Sequence, residues 1–335
     1  MTTDTLPVLR NLITRKPLLA IFEVCLRCNS ACGYCDLPLN VGRYEMSREE
    51  IRKAFQHLYD HGLRFLFIQG GEPLVRRDLP EILEDLYAIG FHLTLITNGT
   101  KLTKPLVDRF RPLNVNISVS LDTLDQERYH HIRGRDQLPD VLRGIDLLQD
   151  YPHPKFLTCI VSEPNRHDVL DVARFARARG FIPVVGAYHW NVERYGKVDM
   201  TLQYERAMAK HVFEQLLESN VVPAGYFRRY LHDNVNWLNG TSLAPCDAGK
   251  YSIAIDASGN VAPCLALHSA GNLREQSLPE ILEKMDAKAI RVCSDQSSCN
   301  MMCSRVIGSL LRHPIDAIRT PQTVAPIRNM YARQA

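Results

Sequence analysis

Between residues 18 and 190 one two-part unit recurs: a short, almost wholly apolar run, then a stretch of helical period. The runs are Leu18–Val24, Arg64–Gln69, His92–Thr97, Val115–Ser120, Lys155–Ser162 and Phe181–Tyr188. Each run is apolar enough for a strand covered on both faces, as in a parallel sheet. The intervening segments carry helix punctuation. Ser47 with Glu50 forms a capping box ahead of the stripe Ile51, Ala54, Phe55 and Leu58, and Gly62 closes that helix. Asp78 with Glu81 repeats the device before Ile82, Leu83, Leu86 and Ile89, ending at Gly90, and His167 to Arg179 stops at Gly180. Six such units restrict the fold to an α/β class, a partial (β/α)6 TIM-like barrel whose chemistry belongs at the C-terminal strand ends.

After Asn191 the rhythm is lost. Thr201 to Ser219 reads as one long helix, and 220–244 as a mixed segment with several aromatics. From Pro245 short strand-like pieces, Tyr251–Asp256 and Asn260–Cys264, flank a Ser258-Gly259-Asn260 turn. The expected organisation is a barrel over 18–195, a helical linker over 196–244, a small α+β unit over 245–305, and a basic tail over 306–335. Arg305, Arg312, Arg319, Arg328 and Arg333 mark that C-terminal stretch.

The chain has 335 residues, 45% hydrophobic and 23% charged, which excludes a disordered or fibrous polymer. Its formal net charge of +3 gives no reason to invoke nucleic acid or an anionic membrane. No apolar run approaches the length of a membrane span, and no signal-peptide layout precedes the first strand. The chain reads as cytosolic.

Its ten cysteines are then the anomaly. Reduced cytosolic thiols that cluster point to metal or redox chemistry rather than disulfides. Cys159 sits in the apolar run Phe156–Val161 and reads as a core thiol. Cys28, Cys32 and Cys35 form a C-x3-C-x2-C loop directly after the first strand. Three thiolates on one loop can hold three irons of a [4Fe–4S] cube and leave the fourth open. Zinc is the competing reading, with Cys25 as a fourth ligand, although a small strand-end residue suits Cys25 better. The next strands end in Gln69-Gly70-Gly71-Glu72-Pro73, Thr97-Asn98-Gly99 and Ser118-Val119-Ser120-Leu121-Asp122. Singly these are turns; on successive strand ends they outline one cofactor pocket.

On these residues the chain resembles the radical S-adenosylmethionine (SAM) superfamily. Cys28, Cys32 and Cys35, with Tyr34 as the aromatic, match its cluster loop, and Gly70, Gly71 and Glu72 match the segment holding the SAM amino group. Asn98, Ser120 and Asp122 lie where such enzymes contact the methionine or ribose parts of SAM, and Arg133 is a candidate for its carboxylate. The resemblance implies one-electron cleavage of SAM to a 5′-deoxyadenosyl radical that abstracts a substrate hydrogen.

The later cysteines are Cys246, Cys264, Cys293, Cys299 and Cys303. C-x12-G-x4-C through Gly259, followed by C-x5-C-x3-C, is similar to the auxiliary-cluster extension called SPASM, or its shortened twitch form. Ile290 replaces the leading cysteine of the second half and none follows Cys303. Five thiolates cannot fill two four-iron clusters, so one auxiliary [4Fe–4S] is expected, held by Cys246, Cys264, Cys299 and Cys303, with Cys293 as spare or substitute. A zinc ribbon is the competing reading.

The resemblance spans enzymes that oxidise or epimerise small polar molecules and enzymes that crosslink or epimerise ribosomal peptides. Only 24 residues precede Cys25, without room for a leader-recognition domain, and a small natural-product or carbohydrate-type substrate is therefore expected ahead of a peptide. A non-catalytic Fe–S or zinc scaffold is the remote alternative, since a scaffold has no need of a SAM pocket. Candidate substrate groups are His189-Trp190-Asn191 and Tyr226-Phe227-Arg228-Arg229-Tyr230; no acid or base is assigned. A flavodoxin- or ferredoxin-like electron donor is the implied partner, with no nucleic acid and no membrane.

Overall fold

A computed structural model of the chain describes residues 5–189 and 200–320. All six expected strands form: β1 (Leu19–Glu23), β2 (Phe65–Gln69), β3 (His92–Thr97), β4 (Asn116–Ser120), β5 (Lys155–Val161) and β6 (Ile182–Ala187). They are parallel and ordered in space as in sequence. Three more follow: β7 (Ser252–Ile255), β8 (Asn260–Ala262) and β9 (Gly271–Asn272). β7 lies parallel to β1, with Leu19 opposite Ser252 and Phe22 opposite Ile255, and β8 and β9 continue antiparallel. One sheet thus runs β6-β5-β4-β3-β2-β1-β7-β8-β9. Its two ends, β6 and β9, are not paired among the described residues, so the barrel is partial.

Strand alternation divides β1 between two cores. Ala20 and Phe22 enter the large core with Phe55 and Leu58, whereas Leu19 and Ile21 face Ala254 and Leu265, against which Phe65, Phe67, Cys303, Val306 and Ile307 pack. Residues of the late cysteine segment therefore fill the second face of β1 and β2. Phe22, Phe55 and Phe91 are fully buried and pack as a tilted pair at 4.6 Å and an edge-to-face pair at 6.1 Å; each such side chain stabilises by about 1.5–3 kcal/mol.

Local signals behave as their chemistry dictates, with two exceptions. The Ser47–Glu50 capping box forms at the start of the helix Arg48–Asp60. Asp78 does not cap the helix Leu79–Ile89, because its carboxylate is drawn to Arg76 at 2.9 Å. Arg76 is buried and also donates to the Val24 and Met46 carbonyls, so the charge pair outcompetes the cap. The helix expected from Thr201 starts only at Arg206. A second helix, Tyr226–Leu238, follows, and the C-terminal helices Val306–Arg312 and Pro314–Arg319 pack back through Arg229–Asp316 (2.9 Å) and Arg312–Asp247 (3.4 Å) ion pairs. No helix among the described residues is long and apolar enough to cross a membrane.

Candidate active site

The cysteine loop leaves the C-terminal end of β1, and the end of β2 is folded against its root. Gly71 N–H donates to the Cys25 carbonyl and Glu72 N–H to the Arg27 carbonyl, both at 2.8 Å. A Cβ at Gly71 would stand 2.1 Å from the Arg27 oxygen, and one at Gly70 (φ +147°) 2.4 Å from the Cys25 oxygen. Only two glycines allow this approach. The Glu72 carboxylate, 1% exposed, accepts from Leu74 N, Thr97 Oγ1 and Asn98 N at 3.0, 2.6 and 2.6 Å. It thereby ties the end of β2 to that of β3. Burial pushes its pKa up, and those three donors oppose the shift.

Asn98 continues the link. Its amide donates to Asn29 Oδ1 and Ser30 Oγ, inside the cysteine loop, and its Oδ1 accepts from Thr100. Gln137 binds the same loop through Ser30 Oγ and the Asn29 carbonyl. Ser30 and Gln137 are tied into this network without belonging to any motif legible in the sequence, whereas Thr97 stands in the strand-end Thr97-Asn98-Gly99 segment.

From the opposite side Arg133, last residue of the helix Gln126–Arg133, accepts from Ala31 N at its carbonyl and lies 4.0 Å from Cys32 Sγ through Nη1. It forms a buried 2.6 Å ion pair with Asp122, whose other oxygen accepts from Ile160 N. Its guanidinium carbon stands 5.9 Å from the Tyr34 ring, which faces Tyr188. Ser120 ends β4, half-buried. The structure thus gathers Cys28, Cys32, Cys35, Tyr34, Gly70, Gly71, Glu72, Asn98, Asp122 and Arg133 at one end of the sheet. There the carboxylates of Glu72 and Asp122 are engaged by protein donors.

Cys28, Cys32 and Cys35 are half-buried on one loop. Burial raises the Cys28 thiol to about 11 and the Cys35 thiol to about 12, so a soft cation that displaces their protons has a ready set of three sulfurs. The Cys28 sulfur already accepts from Ser30 N, and the buried Arg133 Nε has no partner among the described residues. This donor-rich surround fits an anionic iron–sulfur cluster. Cys25 is fully buried and donates to the Glu72 carbonyl at 3.3 Å, which makes it a strand-end core thiol.

The second cysteine group is assembled from distant segments. Cys246 and Cys264 are buried side by side with Ala248. Cys246 N–H donates to Ser294 Oγ, and its thiol reaches the Ser304 carbonyl. Cys293 and Cys299 are hydrogen-bonded to each other, which draws the Cys293 thiol down and pushes Cys299 up. Each of the five thiols interacts electrostatically with at least two others. Cys293 is therefore as much a part of the group as Cys299 and Cys303. No three Cys, His, Asp or Glu side chains among the described residues are drawn together around a single ion. Orphaned polar atoms lie on the same loop: among the described residues the fully buried Asn300 amide has no partner at either end, and neither has the Arg305 Nε. Such donors suit a sulfide-rich cluster.

His189 and the helix Tyr226–Leu238 pack against the segment that carries this group. His189 accepts from Asn300 N at 3.0 Å and stacks on Trp237, Tyr230 donates to the Asn300 carbonyl, and Tyr226 is buried. Phe227 packs on Phe156, Arg228 binds the Leu217 carbonyl, and Arg229 pairs with Asp316. Trp190 and Asn191 lie outside the described residues.

Comparison with known proteins agrees with this geometry. Residues 22–176 match the profile of the radical SAM superfamily, and residues 246–305 that of an iron–sulfur cluster-binding domain, SPASM. The PqqA peptide cyclase of Rhizobium meliloti is 26% identical over 81% of this chain and 75% of its own length. The AdoMet-dependent heme synthase of Methanosarcina barkeri is 26% identical over 87% of this chain and 88% of its own. The chain spans only 34% of a longer relative, the molybdenum cofactor biosynthesis protein 1 of Drosophila melanogaster, at 31% identity over 54% of this chain. Another, the probable GTP 3′,8-cyclase of Methanothermobacter marburgensis, is 33% identical and is spanned over 57% of its length. In fold the chain is similar to Streptococcus suis SuiB bound to precursor peptide SuiA (TM-score 0.67, 16% identity, 83% of this chain and 67% of that one). It is likewise similar to anSMEcpe with bound AdoMet (TM-score 0.61, 17% identity, 80% of each). Taken with the cysteine loop at the end of β1 and the thiol group behind β7, these matches give the chain a radical SAM superfamily domain over residues 22–176 and a SPASM iron–sulfur cluster-binding domain over residues 246–305.

Proposed function

We propose that this enzyme oxidises or epimerises a small polar metabolite by hydrogen abstraction, the auxiliary cluster exchanging the second electron. The observation that carries the reading is the pairing of two thiol groups on neighbouring strands. One is three-membered on a single loop at the end of β1, and the other is five-membered and drawn from separate segments behind β7. When bound, the first cluster would give one electron to SAM, whose C–S bond then breaks to yield the hydrogen-abstracting radical. Cys28, Cys32 and Cys35 would hold that cluster, and Cys246 and Cys264, with two of Cys293, Cys299 and Cys303, the other. Gly70 and Gly71 bring the β2 backbone against the loop. Glu72 and Asn98 hold that loop to β3, and Arg133, fixed by Asp122, supplies positive charge beside Cys32. Ser120 at the end of β4 is assigned a contact to SAM.

The small-substrate reading is supported by a recess of about 210 Å³ beside the cysteine loop, lined by Glu23, Asp36, Asn40, Arg43, Asp256 and Ser258. Leu26, Leu37 and Ala257 line it as well, so it offers hydroxyls or amines hydrogen-bonding partners beside an apolar wall. A peptide substrate is the second reading, favoured by the relative named PqqA peptide cyclase. The electron donor is assigned to the flavodoxin or ferredoxin class and the compartment to the reducing cytoplasm, where ten free cysteines persist.

The test is anaerobic reconstitution followed by reduction with SAM and assay of 5′-deoxyadenosine. Deuterated monosaccharides and aminocyclitols are offered against deuterated synthetic peptides. Deuterium in 5′-deoxyadenosine from the first set supports the reading. Transfer only from peptides replaces it with the second, and no SAM cleavage at all defeats both.

A further inference from the structure

Arg305 stands in the sequence as the first of the basic C-terminal arginines, and it is 6% exposed. Its guanidinium donates to the Ala244 carbonyl at 2.6 Å and to the Cys299 carbonyl at 3.3 Å, bracketing two stretches of the auxiliary thiol group. Its Nε has no partner, and no carboxylate among the described residues lies within ion-pair distance. Asp247 pairs with Arg312, and both Asp247 and Asp233 feel Arg305 only beyond ion-pair distance. Its charge does act on Cys246 and Cys293. A buried cation without a counter-charge costs several kcal/mol, so the fold calls for an anion here. The neighbouring Asn300, buried with both amide atoms unpartnered, adds an unfilled donor on the same loop.

We propose that Arg305 is the counter-ion of the auxiliary iron–sulfur cluster and holds its reduction potential up, so that the cluster accepts an electron. This rests on the reading that Cys246, Cys264 and their partners hold such a cluster. A thiolate-ligated four-iron cube is anionic and gains one negative charge on reduction. A fixed positive charge in a water-poor site therefore stabilises the reduced form more than the oxidised form. Guanidinium keeps its proton at any working pH, so the electron enters without proton uptake by Arg305.

The experiment is iron analysis with EPR-monitored potentiometric titration of the full, reconstituted chain as wild type, Arg305→Gln and Arg305→Lys. With Arg305→Gln the auxiliary cluster's reduced-to-oxidised ratio at the wild-type midpoint should fall about tenfold, equal to about 59 mV for one electron. Arg305→Lys, which keeps the charge, should stay within about threefold. Loss of the auxiliary irons from the glutamine variant alone also supports the proposal. An unmoved midpoint in Arg305→Gln overturns it, and so does loss of the auxiliary irons from both variants with the first cluster intact, which would make Arg305 purely architectural. If the wild type holds only one cluster, and the Cys28, Cys32 and Cys35 alanine variant holds none, the two-cluster reading itself has failed.

Discussion

The two cysteine groups solve the same problem in opposite ways. The first is local: three thiols within eight residues, half-exposed, steadied from outside by the ends of β2 and β3 and by Arg133. The second is non-local: its thiols come from separate segments, Cys246 and Cys264 buried and the other three half-buried, with the buried Arg305 beside them. A local group owes its geometry to the loop. A non-local group exists only when the tertiary fold is complete, so metal and fold stabilise each other there.

The comparison breaks most plainly at the cysteines. Replacing Cys28, Cys32 and Cys35 by alanine should abolish SAM cleavage and lower iron from about eight to about four per chain. Replacing Cys246 and Cys264 should leave SAM cleavage measurable while removing the other four. Should the second pair of substitutions also empty the first site, the groups are not independent, and iron analysis beside 5′-deoxyadenosine assay decides.

Asp122→Asn leaves the buried Arg133 without its counter-charge. A loss of about 3–5 kcal/mol is expected in denaturant unfolding, because one member of a buried pair is left exposed to an apolar surround. A loss below about 1 kcal/mol would mean that the first group is held by its loop alone.

His189 gives the second group a pH signature. Its pKa is pushed down to about 4 by burial, helped by the Arg305 charge. An unfolded histidine near 6.5 binds its proton first, so native stability should fall as pH drops from about 6.5 to about 4, by roughly 3 kcal/mol at most. His189→Gln should flatten that slope, and an unchanged slope would remove His189 from the account.

The smallest effect is expected from Asn98→Ala, at about 1–2 kcal/mol. Two loop contacts and an acceptor for Thr100 disappear, and iron should be lost faster from the first site than from the second. Equal loss rates would show that Asn98 steadies the whole sheet rather than the loop.

The same contrast explains what the sequence could convey. Wholly apolar runs with caps between them leave little choice but parallel strands, and a C-x3-C-x2-C loop announces itself because its ligands are neighbours. Asn98 was legible as a strand-end residue, but its grip on Asn29 and Ser30 depends on where β3 lies beside β1. Arg305 looked like the first of several tail arginines; nothing in its spacing distinguishes a cation folded inward from one in water. Asp78 shows the converse, a sound local cap signal overruled by Arg76 arriving from the core. The long-range pairing of β7 with β1 has no marker in either strand.

That pairing carries a consequence for how the molecule comes into being. On the ribosome β7, which covers the free hydrogen-bonding edge of β1, follows β1 only after the intervening residues 24–251 have been made. At roughly 5–20 residues per second the interval amounts to tens of seconds. Throughout it the nascent polypeptide presents an uncovered strand. The three-cysteine loop at the far end of that strand is available all the while, so metal can enter the first site before translation has delivered the ligands of the second.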